Sequence, residues 1–244
     1  MKIISHRGAS AYAPENTVKA FKLAVEMGSK DFEFDVHRTK DGVLVVHHDY
    51  SLEHTAGRNV KIADLTWAEL KKFNVAFYYR PDRSFQHVPK LEEVIDIIGP
   101  AADWLNFEVK NDGNAYPGIE RQLFEFMKER GLLEKSLVSS FDHGTLKRLR
   151  ALSHDLKLGF LGHGLRTMLL LPAIRRARAV KAVNFHIALR IAFKVNVSRI
   201  KKAGFNVCIY TVNTKKDALR MKAIGADGIF TNHPDIMGKW TLKG

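Results

Sequence analysis

Eight short apolar runs, each able to form a strand, recur through the chain, and amphipathic helical stretches separate most of them. This alternation constrains the fold more than any other feature. The runs are "KIIS" (2–5), "FEFDV" (32–36), "WLNFEV" (104–109), "SLVSSF" (136–141), "LKLGFL" (156–161), "AVNFH" (182–186), "NVCIYTV" (206–212) and "DGIFT" (227–231). Between them lie stretches such as "ENTVKAFKLAVEMG", "GIERQLFEFMKERG" and "TKKDALRMKAIG". In the first of these, Val18, Phe21, Ala24 and Val25 share one helical face, with Asn16 or Thr17 as N-cap and Gly28 just past the end. Strand, helix, strand in steady order predicts a parallel sheet with crossover helices. Eight such units in 244 residues match the roughly 250 residues of a closed eight-fold barrel. The expected fold class is therefore α/β, a TIM (β/α)8 barrel, as one domain over residues 1–244. The alternation breaks between about residues 42 and 98, where "VLVVHHD" adds a short strand and Thr66 caps a helix. A small lobe over approximately 49–98, inserted between strand 2 and strand 3, is expected.

The chain carries 39 Lys and Arg against 26 Asp and Glu, a formal net charge of +13. That balance favours anionic partners: phosphate esters, nucleic acid or acidic lipid headgroups. No stacked aromatic platform or recognition-helix motif supports nucleic acid as a partner. The single cysteine, Cys208, excludes an internal disulfide and sits in an apolar run, as a buried small hydrophobe does. "MKIISHRG" meets charge too early for a signal peptide, and no run approaches the ~18 apolar residues of a membrane span. A soluble cytoplasmic protein is expected.

Chemistry concentrates where barrel strands end, because active sites of this fold sit at that mouth. His6 and Arg7 follow the first strand, Glu33 and Asp35 lie late in the second, and Glu108 and Lys110 close the third. The period-two alternation of a strand puts Glu33, Asp35 and His37 on one face and Phe34 and Val36 on the other. Like charges side by side need a cation or water between them. Three carboxylates from neighbouring strands provide part of the oxygen shell of a hard divalent ion such as Mg²⁺, Mn²⁺ or Ca²⁺. A carboxylate on a strand is also commonly paired with Lys or Arg, and histidines at such places are often packing residues. Two histidines flanking a bound phosphate, His6 and His48, would suit acid and base catalysis, since an unperturbed imidazole takes either form near neutrality.

The ordered series "SHRGASAYAPENT", "FEFDVHRTKDGVLVVHHDYSLEHTAG", "ADLTWAEL", "VPKLEEV", "NFEVK", "SSF", "YTVN" and "GADGIFTNHP" resembles the glycerophosphodiester phosphodiesterase family over nearly the whole chain. The resemblance implies hydrolysis of a glycerophosphodiester to sn-glycerol 3-phosphate and an alcohol. It implies His6 and His48 as the acid/base pair, Arg7 and Lys110 as phosphate contacts, and Glu33, Asp35 and Glu108 as ligands of one divalent cation. Asp49 would orient His48, and Glu15 would touch a histidine or the metal shell. Asn16 would only cap the helix. His47 would point away from the site, and His37 gains no role. Tyr210 and Asn232 depart from residues common in the family. Tyr210 would wall the glycerol pocket and offer its hydroxyl, and Phe141 would line the same mouth or the core.

The segment 164–182, with Arg166, Arg175, Arg176, Arg178 and Lys181, reads either as a basic amphipathic stretch for anionic lipid or as an outer barrel helix with a solvated face. Surface association with a membrane, without stable insertion, is compatible with it. Two alternatives to the diesterase accordingly stand at this point. One is a lysophospholipase D working at a membrane surface. The other is a basic barrel that binds anionic ligands without catalysis.

Overall fold

In the computed structural model, which describes residues 1–81, 83–162, 170–235 and 237, eight parallel strands close into a barrel. They are β1 (Lys2–His6), β2 (Asp31–Arg38), β6 (Trp104–Val109), β7 (Ser136–Ser140), β8 (Leu158–Leu161), β9 (Asn184–Ala188), β10 (Asn206–Tyr210) and β11 (Gly228–Thr231). Each pairs in parallel with the next, and β1 closes the ring by pairing with both β2 and β11. Closure leaves no free sheet edge among these strands. The outer helices are α1 (Val18–Glu26), α4 (Leu91–Ile98), α5 (Ile119–Glu129), α6 (His143–Leu152), α7 (Leu170–Ala179), α8 (Lys194–Lys202) and α9 (Lys215–Ala223).

Local chemistry starts these helices where the sequence expects them to start. Thr17, rather than Asn16, caps α1, its hydroxyl accepting from the amide of Ala20 at 3.2 Å. Asp142 caps α6 and Thr214 caps α9 in the same way, satisfying amides that have no partner inside a helix. On β2, Phe32, Phe34 and Val36 pack in the main hydrophobic core under the helices. Phe34 meets Phe107 edge-on at 4.7 Å and Phe21 at 6.1 Å. The alternate residues Glu33, Asp35 and His37 turn into the barrel, so this strand is buried on both faces. An apolar cluster of Ile4, Cys208 and Phe230 fills the barrel on its inner side, with Trp104 and Tyr210 against it. Burial pushes the Cys208 thiol up to about 12, which suits a packing residue.

Between β2 and β6 the chain makes β3 (Leu44–Val46), β4 (Ser51–Leu52), α2 (Glu53–Ala56), β5 (Arg58–Lys61), α3 (Trp67–Leu70) and then α4. Strand β3 pairs antiparallel with β2, Val36 opposite Val46, so the chain doubles back and delivers His47 and His48 beside the late residues of β2. Thr66 and Glu69 form a capping box on α3. Val45, Leu52, Ile62, Leu70, Val75 and Val88 make a separate apolar cluster, whereas α4 contributes Leu91, Val94, Ile95 and Ile98 to the main core.

Helix α7 buries Leu170, Ala173, Ile174 and Ala177 and exposes Arg175, Arg176 and Arg178, an outer barrel helix with a solvated basic face. Arg166, grouped with them in the sequence, lies outside the described residues. Among the described residues no helix is long and apolar enough to cross a membrane.

The aromatic contact on β2 has a measurable consequence. Phe34→Ala removes a fully buried ring between two others, and a loss of about 3–5 kcal/mol in unfolding free energy is expected, read from urea denaturation with an unchanged slope.

Candidate active site

Strand β1 ends at His6, and Arg7 and Gly8 then take left-handed backbone, φ 58° and 82°. Glycine adopts this region without cost, whereas an arginine there is uncommon and marks a tightly specified turn. Gly8 is required for a second reason, since a Cβ on it would sit 2.7 Å from the carbonyl carbon of Ala20. The turn folds the first loop over β2. The Arg7 amide donates to the Glu33 carbonyl at 3.0 Å, and the Asn16 amide donates to the Arg7 carbonyl at 3.0 Å.

Five charged groups meet inside the barrel mouth. Asp35, with no exposed surface, accepts from the amide nitrogen of Asn16 at 2.8 Å and forms ion pairs with Arg7 Nε at 3.2 Å and Lys110 Nζ at 3.0 Å. Lys110 also donates to Glu108, and Arg7 Nη1 donates to Glu15 at 2.9 Å. Burial alone would raise Asp35, but Lys110 and Arg7 outweigh it and hold the carboxyl well below the usual range. Lys110 and Arg7 are raised in turn: burial opposes their charge, and the neighbouring carboxylates prevail. Glu33 behaves oppositely. Burial, with Asp35 and Glu108 nearby, pushes it well above the usual carboxylate range, and its Oε1 is buried with no partner among the described residues.

One oxygen from each of Glu33, Asp35 and Glu108 lies within 4.8 Å of the others. Oxygens that share a Mg²⁺ or Ca²⁺ ion stand roughly 3–5 Å apart, given metal–oxygen distances of about 2.0–2.6 Å. The triad can therefore hold an ion, and the orphaned Glu33 oxygen is an atom that one would satisfy.

The two histidines face this cluster across one cavity of about 140 Å³, lined by His6, Arg7, Glu33, His48, Glu108, Phe141 and Tyr210 among others. The Oδ1 of Asn232 accepts from His6 Nδ1 at 2.8 Å, which leaves the lone pair of Nε2 free, 3.9 Å from Glu33. Burial, then Arg7, pushes this imidazole down to about 3. His48 Nδ1 donates to Asp49 at 2.7 Å, and the other Asp49 oxygen receives His54 Nδ1 at 2.9 Å. Bonding to His48, then to His54, holds the Asp49 carboxyl low despite its partial burial.

Several details differ from the sequence reading. Glu15 pairs with Arg7 rather than with a histidine or the carboxylate triad. Asn16 does not cap α1 but serves Asp35. Tyr210 turns its ring to Phe141, perpendicular at 6.0 Å, and its hydroxyl is engaged by the carbonyl of Gly162 at 2.8 Å. His37 has work to do after all. Its Nε2 donates to the backbone carbonyl of His48 at 3.2 Å, and its Nδ1 accepts from the Tyr116 hydroxyl at 2.8 Å. Burial, then His47, pushes its pKa down to about 3, and a neutral ring is what one donor bond and one acceptor bond require. Its inward alternation on β2 was the available signal, but nothing in the sequence pairs it with Tyr116. His47 is buried, 3.5 Å from the Thr55 hydroxyl, and does not line the cavity.

Comparison with known proteins gives this constellation a family. The model of the glycerophosphoryl diester phosphodiesterase family matches residues 6–236. A glycerophosphodiester phosphodiesterase of Caldanaerobacter subterraneus subsp. tengcongensis is 34% identical over 242 residues, 99% of this chain and 98% of the relative. One from Bacillus altitudinis is 33% identical over 238 residues, 96% and 95% of the two chains. Among solved structures, an Oleispira antarctica phosphodiesterase in complex with the product sn-glycerol-3-phosphate superposes with a TM-score of 0.85 at 27% identity, covering 100% of this chain and 97% of that one. The chain belongs to the glycerophosphoryl diester phosphodiesterase family and is a phosphoric diester hydrolase.

Two measurements probe the charge cluster without any assay of turnover. Added Mg²⁺, Mn²⁺ or Ca²⁺ is expected to raise the melting temperature of the chain by mass action, and Glu33→Gln is expected to abolish most of that rise. Lys110→Met strips Asp35 and Glu108 of their shared cation and is expected to cost about 3–5 kcal/mol in ion-free buffer. Added ion should recover part of the loss.

Proposed function

We propose that the chain hydrolyses glycerophosphodiesters to sn-glycerol 3-phosphate and an alcohol, with His6 and His48 exchanging protons over a substrate held at the carboxylate triad. The observation that carries this reading is the arrangement of the two rings. Each has its Nδ1 committed to a neighbour, Asn232 for His6 and Asp49 for His48, and both line the cavity that Glu33 and Glu108 of the triad also line. The family membership and the product bound by the Oleispira relative support the substrate class.

The neutral His6 ring, with Nε2 free, serves as the base that takes a proton from the attacking water or glycerol 2-hydroxyl, water then opening the cyclic phosphate in the second case. His48, whose protonated ring the Asp49 carboxylate can balance, serves as the acid that protonates the leaving alcohol. A carboxylate fixing the tautomer and orientation of an imidazole is a general device of such sites. Arg7 and Lys110 supply fixed positive charge toward the phosphate. Glu33, Asp35 and Glu108 would hold a divalent cation, which when bound would polarise the phosphoryl group and offset its charge. Phe141 and Tyr210 wall the cavity with two rings. Each histidine accounts for ~10²- to 10⁴-fold, far short of what a phosphate ester demands, so the charged cluster must supply a large part of the acceleration.

The test is release of sn-glycerol 3-phosphate from glycerophosphocholine or glycerophosphoethanolamine with Mg²⁺, Mn²⁺ or Ca²⁺ present. Chelator and Glu33→Ala are expected to abolish it, and His6→Ala and His48→Ala are each expected to lower kcat by about 10²- to 10⁴-fold. Full activity under chelation would remove the cation from the scheme. A strong preference for long-chain lysolipid over the deacylated diester would recast the enzyme as a lysophospholipase D.

A further inference from the structure

The excess positive charge of the chain is confined to one sector of the barrel. Residues 156–216 hold 13 Lys and Arg and no Asp or Glu, which leaves 26 of each sign over the remainder. That segment builds β8, α7, β9, α8, β10 and the start of α9. Arg175, Arg176 and Arg178 on α7 and Lys194, Arg199 and Lys202 on α8 are all exposed. Among the described residues, Lys201 is the one cation of this sector in an ion pair, with Asp227 at 2.7 Å. A surface of one sign that is not neutralised from within concentrates anions from solution.

Apolar side chains stand exposed on the same two helices. Leu171 in the first turn of α7 is 69% exposed, Phe193 at the N-cap of α8 is 58% exposed, and Val195 in its first turn is 53% exposed. Helix α7 meets the barrel through Leu170, Ala173, Ile174 and Ala177, so Leu171 lies outside its packed stripe. Between α7 and α8 runs an open groove of about 670 Å³. Leu171, Pro172 and Ile174 line it together with Arg178, Arg199 and Lys202, and no acidic residue does. Arg178 donates across it to the Ala203 carbonyl at 3.2 Å. Alkyl surface and unneutralised cations thus share one groove, and exposed apolar surface of this kind marks a place of contact.

We propose that the α7–α8 face docks the chain on an anionic lipid surface, its cations against the headgroup phosphates and Leu171, Phe193 and Val195 at the boundary with the acyl chains. Contact is peripheral, because the apolar stripe of α7 is already spent on the barrel. A lipid surface supplies both the negative charge and the hydrocarbon that this face can use. Nucleic acid would answer the cations and leave the exposed apolar residues in water. A second copy of the chain, meeting this face with its own, would set like charge against like. The choice of lipid also draws on the diesterase reading above. A glycerophosphodiester is what remains of a phospholipid once its acyl esters are hydrolysed, so docking holds the enzyme where its substrate is released.

The experiment is cosedimentation of the full chain with vesicles of phosphatidylcholine alone and of phosphatidylcholine mixed with phosphatidylglycerol. Binding is expected to the mixed vesicles only, and high salt should release it. The double variant Arg199→Glu/Lys202→Glu should weaken that binding by about 10-fold or more, and Leu171→Ser/Phe193→Ser by about 10-fold with the salt dependence kept. Both variants should hydrolyse glycerophosphocholine in free solution as the unmodified chain does, which also shows that they fold. Should the charge reversal fail to fold, Arg199→Gln/Lys202→Gln takes its place. Absence of binding to the mixed vesicles, or binding that the charge variant leaves intact, overturns the inference. So does binding to polyuridylate in preference to the mixed vesicles. A chain that binds the mixed vesicles as expected and hydrolyses no diester defeats the diesterase reading and leaves the docking face standing.

Discussion

A cluster of three carboxylates and two cations, enclosed by the first three strands of a barrel, is the constraint on which the site depends. Charges of this kind are costly to bury and persist only when each is matched in position as well as in number. Asp35 sits at the centre, ion-paired with Arg7 and Lys110 and hydrogen-bonded by Asn16. The left-handed turn after β1 exists to bring Arg7 and Asn16 there. Glu33 keeps one oxygen without a hydrogen-bond partner among the described residues, and with Asp35 and Glu108 it forms a group that could hold an added positive charge.

The histidines are held from outside the cluster, one by a partner far away in the chain and one by its neighbour. Asn232, 226 residues from His6, accepts from its ring. Asp49, itself bonded by His54, holds the His48 ring, while His37, itself bonded by Tyr116, holds the His48 backbone carbonyl. Each catalytic candidate thus has a fixed tautomer and a free nitrogen toward one cavity.

Much of this arrangement was legible in the residues. Eight apolar runs at barrel spacing predicted the closed sheet, and β2 alternates as its spelling requires, with Phe34 outward and Glu33 and Asp35 inward. The segment 164–182 was ambiguous from sequence, because an amphipathic basic helix has the same pattern on a membrane and on a barrel. Packing of Leu170, Ala173, Ile174 and Ala177 against the barrel decides the matter for α7. Glu15, Asn16 and the Tyr210 hydroxyl found other partners than expected, because a sequence motif marks a loop without stating which way each of its side chains turns.

The sequence by itself determined the class of fold, the inward face of each strand and the residue types at the mouth, since backbone alternation and hydrophobic period are local properties. Only the tertiary structure decided which polar groups meet. His37 and His47 both lie close to His48 in the chain, and both are buried. Closure of the barrel placed Tyr116 and the His48 carbonyl against the first. Hydrogen bonds between residues scores of positions apart depend on register around the whole ring, and that register exists only when the ring has closed.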